Sequence, residues 1–136
     1  MKKVLGALAI LVLIALVFTG CGDKATVFRA TNDDGISYVF SFDKDGSWTY
    51  YMNGSAEGIT FNLTLMKGTY TGNPKQDGSL NLTQTHGASI NWNNITEDTT
   101  SITNELFPLV AITPSEFTLT ISNGRITTST IVFTRQ

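Results

Sequence analysis

From Ile36 onward this chain repeatedly places an apolar residue at every second position. Ile36, Tyr38, Phe40 and Phe42 alternate with Ser37, Val39 and Ser41, and Ile59, Phe61, Leu63 and Leu65 alternate with Thr60, Asn62 and Thr64. Phe117, Leu119 and Ile121 do the same against Thr118 and Thr120. Successive side chains of a strand point to opposite faces, so each run offers one face to a core and one to water, the pattern of antiparallel sheet. Asp34-Gly35, Asp45-Gly46, Asp77-Gly78 and Asn123-Gly124 each stand directly before such a run. There glycine supplies the positive φ of a tight hairpin, which joins neighbouring strands locally. Thr, Ser and Asn are frequent from Thr26 onward while Ala and Leu are sparse, a composition that favours strands over helices.

The expected strands cover residues 25–31, 36–43, 47–53, 59–72, 79–86, 88–93, 116–122 and 125–134. Gly68 falls inside the longest run and marks a bulge or sharp bend. In the last run Ile126 is even while Ile131 and Phe133 are odd, which predicts a second bulge between Thr128 and Thr130. Such devices help a sheet curl and close. Asn94 to Thr113 breaks the pattern and carries Glu97, Asp98 and Glu105. It reads as a short helix over Thr99 to Leu106, stopped by Pro108, or as a long loop of the kind that tends to carry function. The expected core holds Phe40, Phe42, Trp48, Phe61, Leu63, Leu82, Leu119 and Phe133.

The N-terminus has a different logic. Met1-Lys2-Lys3 precedes Val4 to Phe18, fifteen residues without a charged or polar side chain, the form of a secretion signal. As a helix that segment reaches about 22 Å, short of the ~30 Å hydrocarbon core of a bilayer. Phe18-Thr19-Gly20-Cys21 resembles the bacterial lipobox. The resemblance implies cleavage between Gly20 and Cys21, acylation of the Cys21 sulfur and a leader spanning residues 1–20, with a lipid-anchored β domain over residues 21–136. Two or three acyl chains would hold the protein stably in a membrane. Gly22 rather than an acidic residue follows Cys21, which for a lipoprotein of a two-membrane bacterium implies the outer membrane.

Several function classes are excluded by counting. The chain carries nine Lys plus Arg against eleven Asp plus Glu; losing Lys2 and Lys3 with the leader leaves seven against eleven, a charge of −4. A net-acidic chain without a basic run does not suit nucleic acid. One Cys and one His make neither a Cys/His zinc site nor an intrachain disulfide. His86, the only imidazole, has no nucleophile motif to serve, and Asp43-Lys44-Asp45-Gly46 is out of register for a calcium loop and reads as a hairpin turn. Nothing implies a metal, a cofactor or an enzyme.

The words DGISYVFSFDKDGSWTYYM, KGTYTG, DGSLNLT and FTLTISNGRITTSTIVFT together look like the small lipocalin-like lipoproteins of bacteria. The resemblance implies an all-β, up-and-down antiparallel barrel or strongly curled meander of about eight strands. A barrel of that size is either hollow enough for a small ligand or filled by its own side chains. Trp48 and Tyr50 fall on one face of their strand and Tyr51 on the other, and Trp92 stands among Asn91, Asn93 and Asn94 at the entrance to the long loop. These four aromatics are the candidate ligand contacts, with a core role as the competing reading for Trp48, Tyr50 and Trp92. The expected function is that of a non-enzymatic envelope lipoprotein binding a small apolar ligand or an envelope or host protein. Two rivals stay open: an inhibitor that offers its long loop to a lysozyme-like enzyme, and a structural or antigenic surface coat without a ligand.

Overall fold

The computed structural model describes residues 24–136, so the leader, Gly20 and Cys21 lie outside the described residues. Each of the four expected turns connects strands. Asn32 takes hydrogen bonds on its side-chain oxygen from the Asp34 and Ile36 amides and turns β1 (Thr26–Thr31) into β2 (Ser37–Phe42). Asp45 accepts from the Ser47 amide at the turn into β3 (Ser47–Ala56). Glu57 and Gly58, both at positive φ (53° and 78°), then turn β3 into β4 (Ile59–Thr71), a fifth tight turn that the Asp-Gly and Asn-Gly words did not flag.

The chain continues through β5 (Gly78–Ala88), a 3₁₀ turn (Trp92–Asn94), β6 (Ser101–Thr103), β7 (Leu109–Ser122), β8 (Arg125–Thr127) and β9 (Val132–Arg135). Eight of the nine strands pair antiparallel with their neighbours in sequence order, β6 being passed over, and β9 closes the ring on β1. The domain is therefore a closed, all-β, up-and-down barrel. β6 stands outside the ring and pairs in parallel with the start of β4, Thr60 opposite Ser101 and Asn62 opposite Thr103.

The interior is filled. Phe28, Phe40, Phe42, Trp48, Leu80, Leu82, Ile121, Ile126 and Phe133 form its main buried cluster. Trp48 on β3 meets Phe117 on β7 edge-on at 5.6 Å, and its indole nitrogen donates to the Thr83 carbonyl on β5 at 3.3 Å. β3 and β7 are not neighbours in the sheet, so this contact crosses the barrel and leaves no lumen at that level. Phe40 packs against Phe133 at 5.0 Å, tying β2 to β9. Ring closure itself is narrow, only Phe28 opposite Arg135 and Arg29 opposite Thr134. There the Arg135 guanidinium lies 5.3 Å from the Phe28 ring centre. Nε and Nη2 of Arg135 are buried without a hydrogen-bond partner, and attraction to the ring face offsets part of that cost.

Three irregularities fall near one level. Tyr50 pairs with Met66 but Tyr51 with Thr64, so Leu65 is an extra residue on β4. Lys67 pairs with His86 but Gly68 with Gln84, leaving Thr85 extra on β5, and opposite it residues 112–114 of β7 are unmatched. The Leu65 bulge changes the phase of β4. Below it Met66 and Tyr70 pack on the main cluster; above it Leu63, with Phe61 and Ile59 around it, joins a second cluster with Ile102 and Phe107. The bulge expected at Gly68 falls beside it, with its extra residue Thr85 on the partner strand. Only glycine fits there, because a Cβ at that position would stand 1.8 Å from the Thr83 carbonyl oxygen.

Other expectations are corrected. Of the expected strand 88–93 only Ala88 is strand, as the last residue of β5, and Asn91 caps the 3₁₀ turn by accepting from the Asn93 amide. No helix forms over Thr99 to Leu106. Ser101–Thr103 is strand and a turn follows, with the Leu106 and Phe107 amides donating to the Thr103 carbonyl, so Ile102 and Leu106 reach the second cluster without helical spacing. Residues 125–134 are a hairpin rather than one bulged strand. Ile126 sits opposite Phe133, and this chain reversal is what produced the change from even to odd. Phe61 and Leu119, expected in the core, are only half-buried. Val39, expected on the wet face, is fully buried between its register partners Arg29 and Tyr51, two long side chains.

Two tests follow from these contacts. Gly68→Ala drives a methyl group into a neighbouring backbone and is expected to destabilise the barrel by about 3 kcal/mol or more, the upper range of overpacking. Gly58→Ala, with open space around its Cβ but φ at 78°, is expected to cost about 1 kcal/mol; urea denaturation compares the two. Asp77 accepts hydrogen bonds from the Asn123 and Gly124 amides, at 2.8 and 3.0 Å, across the end of the barrel. The donors Gly124 and Asn123 hold its carboxyl below the usual carboxylate range. Its stabilisation is therefore present above the unfolded value of about 3.9 and lost as pH falls through the lower folded value. Asp77→Ala is expected to melt below wild type at neutral pH, with the gap closing in thermal scans below about pH 4.

Candidate functional site

The connection between β5 and β7, residues 89–108, lies at the end of the barrel opposite Lys24 and is where the alternating pattern fails. It is held in place rather than loose. The Asn104 side chain pairs with both backbone groups of Thr64, accepting from its amide and donating to its carbonyl at 2.9 Å each, and donates to the Phe107 carbonyl at 3.1 Å. Ile102 and Phe107 are buried beneath it against Leu63. Asn94 donates to the Leu106 carbonyl, and the Thr96 amide donates to the Thr99 hydroxyl.

On this pinned frame Trp92 is 71% exposed, its ring edge-on to Phe107 at 6.1 Å. Three more large apolar residues are exposed on the same connection and the adjoining part of β7: Ile90 at 43%, Val110 at 44% and Ile112 at 37%. An indole this exposed is apolar surface that gains by being covered. Glu97, Asp98 and Glu105 stand exposed on the same connection. An open cleft of about 650 Å³ beside β6 is lined by Asn62, Ser101, Thr103, Asn104, Glu105 and Leu106.

The other candidate aromatics are not brought to this place. Trp48 is fully buried in the main cluster. Tyr50 is half-buried and stacks on Phe40 at 4.5 Å; burial, then the nearby Tyr38, raises its pKa above that of an ordinary phenol. Tyr51 sits half-buried opposite Val39, on the other face of β3. Tyr38 borders a separate cleft of about 270 Å³ between the β1–β2 turn and the β8–β9 turn, with Ala30, Thr31, Ile131 and Val132. His86 Nδ1 lies 2.9 Å from the Thr85 hydroxyl in the bulged stretch of β5. Among the described residues no group of three His, Cys, Asp or Glu is placed to hold a metal ion.

Asn104, Ile90, Val110 and Ile112 escaped the sequence reading, although all but Ile90 fall within the segment where alternation fails. Nothing local distinguishes an asparagine that clamps a strand 40 residues away. The chain matches no family model, and no curated protein or solved structure is significantly similar to it.

Asn104→Ala removes both partners of the Thr64 backbone and is expected to cost about 1–3 kcal/mol, the penalty for unsatisfied buried groups. Hydrogen exchange checks the mechanism: the Thr64 amide and residues 101–107 should lose protection while the β1–β2 pair keeps it.

Proposed function

We propose that this protein is a non-enzymatic, lipid-anchored component of the bacterial cell envelope that binds a protein partner through the Trp92 end of its barrel. The observation that carries the reading is the exposed indole held on an ordered connection. Binding hot spots are dominated by rigid aromatic anchors, and an anchor already fixed in place loses little freedom on docking. The filled interior argues against a ligand inside the barrel, which would have to displace Phe40, Trp48 or Phe117. The anchor rests on the resemblance of Phe18-Thr19-Gly20-Cys21 to a lipobox and on the charged and apolar order of the leader, and with it go the envelope and outer-membrane assignments. Among protein partners, a lysozyme-like enzyme whose cleft receives the connection fits the same surface.

Labelled palmitate fed to cells should enter the wild-type protein and be absent from Cys21→Ser; incorporation into the variant would overturn the anchor. Titration with candidate envelope and host proteins should change tryptophan fluorescence in wild type and not in Trp92→Phe. Trp92→Ala should weaken binding about 30-fold, the ~2 kcal/mol of a hot spot, while Tyr51→Ala leaves it unchanged. A fluorescence response that persists in Trp92→Phe would move the site to the barrel interior around Trp48 and Tyr50, and so to a small apolar ligand.

A further inference from the structure

The up-and-down topology sorts the charged residues by end. Four connections meet at the Trp92 end, and they carry Asp33, Asp34, Glu57, Glu97, Asp98 and Glu105 with no Lys or Arg among them. At the opposite end, where β1 begins, stand Lys24, Lys44, Lys75, Arg125 and Arg135. Among the described residues three carboxylates share that end, and each accepts hydrogen bonds: Asp45 from the Ser47 amide and hydroxyl, and Asp77 from the Asn123 and Gly124 amides. The third, Asp43, accepts a hydrogen bond from the Ser47 hydroxyl. Among the described residues, five basic side chains thus stand with three carboxylates at one end, and the other end is wholly acidic.

The basic end also has a shaped feature. A cleft of about 370 Å³ is lined by Lys24, Lys44 and Lys75 together with Phe42, Tyr70 and Pro74. Tyr70 is fixed there by donating its hydroxyl to the Asp43 carbonyl at 2.7 Å. Three lysines lining one cleft together with Phe42, Tyr70 and Pro74 match a phosphate bound to a less polar body. In the sequence Cys21, the proposed anchor, stands three residues before Lys24, which lines this cleft.

We infer that the Lys24–Lys44–Lys75 end of the barrel docks on the phosphate headgroups of an anionic lipid surface, standing the barrel on end with Trp92 pointing away. This orientation rests on the proposed anchor for its proximity to a membrane, but the charge sorting is independent of it. An anionic surface attracts the basic end and repels the six carboxylates, so both ends favour the same orientation. The attraction acts only within a Debye length, about 10 Å at 0.1 M salt.

The experiment uses the full acylated protein in vesicles of neutral phosphatidylcholine, with or without about one-third phosphatidylglycerol, and reads lysine modification by an amine-reactive reagent with mass spectrometry. At roughly 1 kcal/mol per lysine at such a surface, the labelling of Lys24, Lys44 and Lys75 should slow about five-fold in anionic vesicles. Lys67, in the middle of β4, should not change. The protection should vanish at about 0.5 M salt. Equal labelling in the two kinds of vesicle would overturn the proposal, as would equal protection by millimolar inorganic phosphate in neutral vesicles, which would make the cleft a site for a free anion. Flotation with the neutral vesicles reports the anchor separately. If flotation fails while anionic vesicles still protect the three lysines, the anchor is wrong and the docking end stands.

Discussion

The barrel depends on one contact that crosses it. Trp48 reaches from β3 to Phe117 on β7 and donates its indole N–H to the Thr83 carbonyl on β5, so one side chain joins three strands and keeps its polar atom satisfied. Around it Phe40, Phe42 and Phe133 fill the remaining width. Aromatic rings carry most of the buried area that a small domain can collect, and a barrel closed by only two residue pairs between β1 and β9 needs that interior to keep its ends together.

The irregularities divide this barrel into two working parts. Below Leu65 and Thr85 the wall is short, tightly filled and tied across its end by Asp77 and by Arg135 over Phe28. Above them the inward face of β4 changes phase, and the wall continues as a taller rim that lacks a full ring of neighbours. β6 supplies part of the missing partner by pairing with the start of β4, and Asn104 fastens the long connection over the second cluster. Phe107 is buried while Trp92, against its edge, is left out. A rim assembled in this way can vary its exposed residues without touching the packing around Trp48.

Geometry and charge point along the same axis. The chain enters at the basic end, near the lysine cleft, and the exposed indole and the carboxylates lie at the other. With the proposed anchor, this polarity presents the Trp92 rim outward and the basic end to the membrane. The interior is occupied by Phe40, Trp48 and Phe133, so the surfaces open to a partner lie at the ends of the barrel.

By itself the sequence determined the antiparallel sheet, the positions of four hairpin turns and six of the fourteen buried apolar side chains among the described residues. Each depends on neighbours one or two residues away: alternation sets which face a side chain takes, and Asn or Asp before Gly sets where the chain reverses. Phe40, Phe42, Trp48, Leu63, Leu82 and Phe133 were legible for that reason. Only the tertiary structure decided the rest. Ile126 and Phe133 change phase because a hairpin lies between them, not a bulge, and both arrangements leave the same local pattern. Ser101–Thr103 is a strand because Thr60–Asn62 offers it an open edge, and Asn104 is a clamp because Thr64 lies beneath it. Trp48 and Trp92 look equally hydrophobic in sequence. One is buried and the other exposed because strands distant in the chain converge on the first, while the second stands on a turn whose neighbour Phe107 already fills the space below.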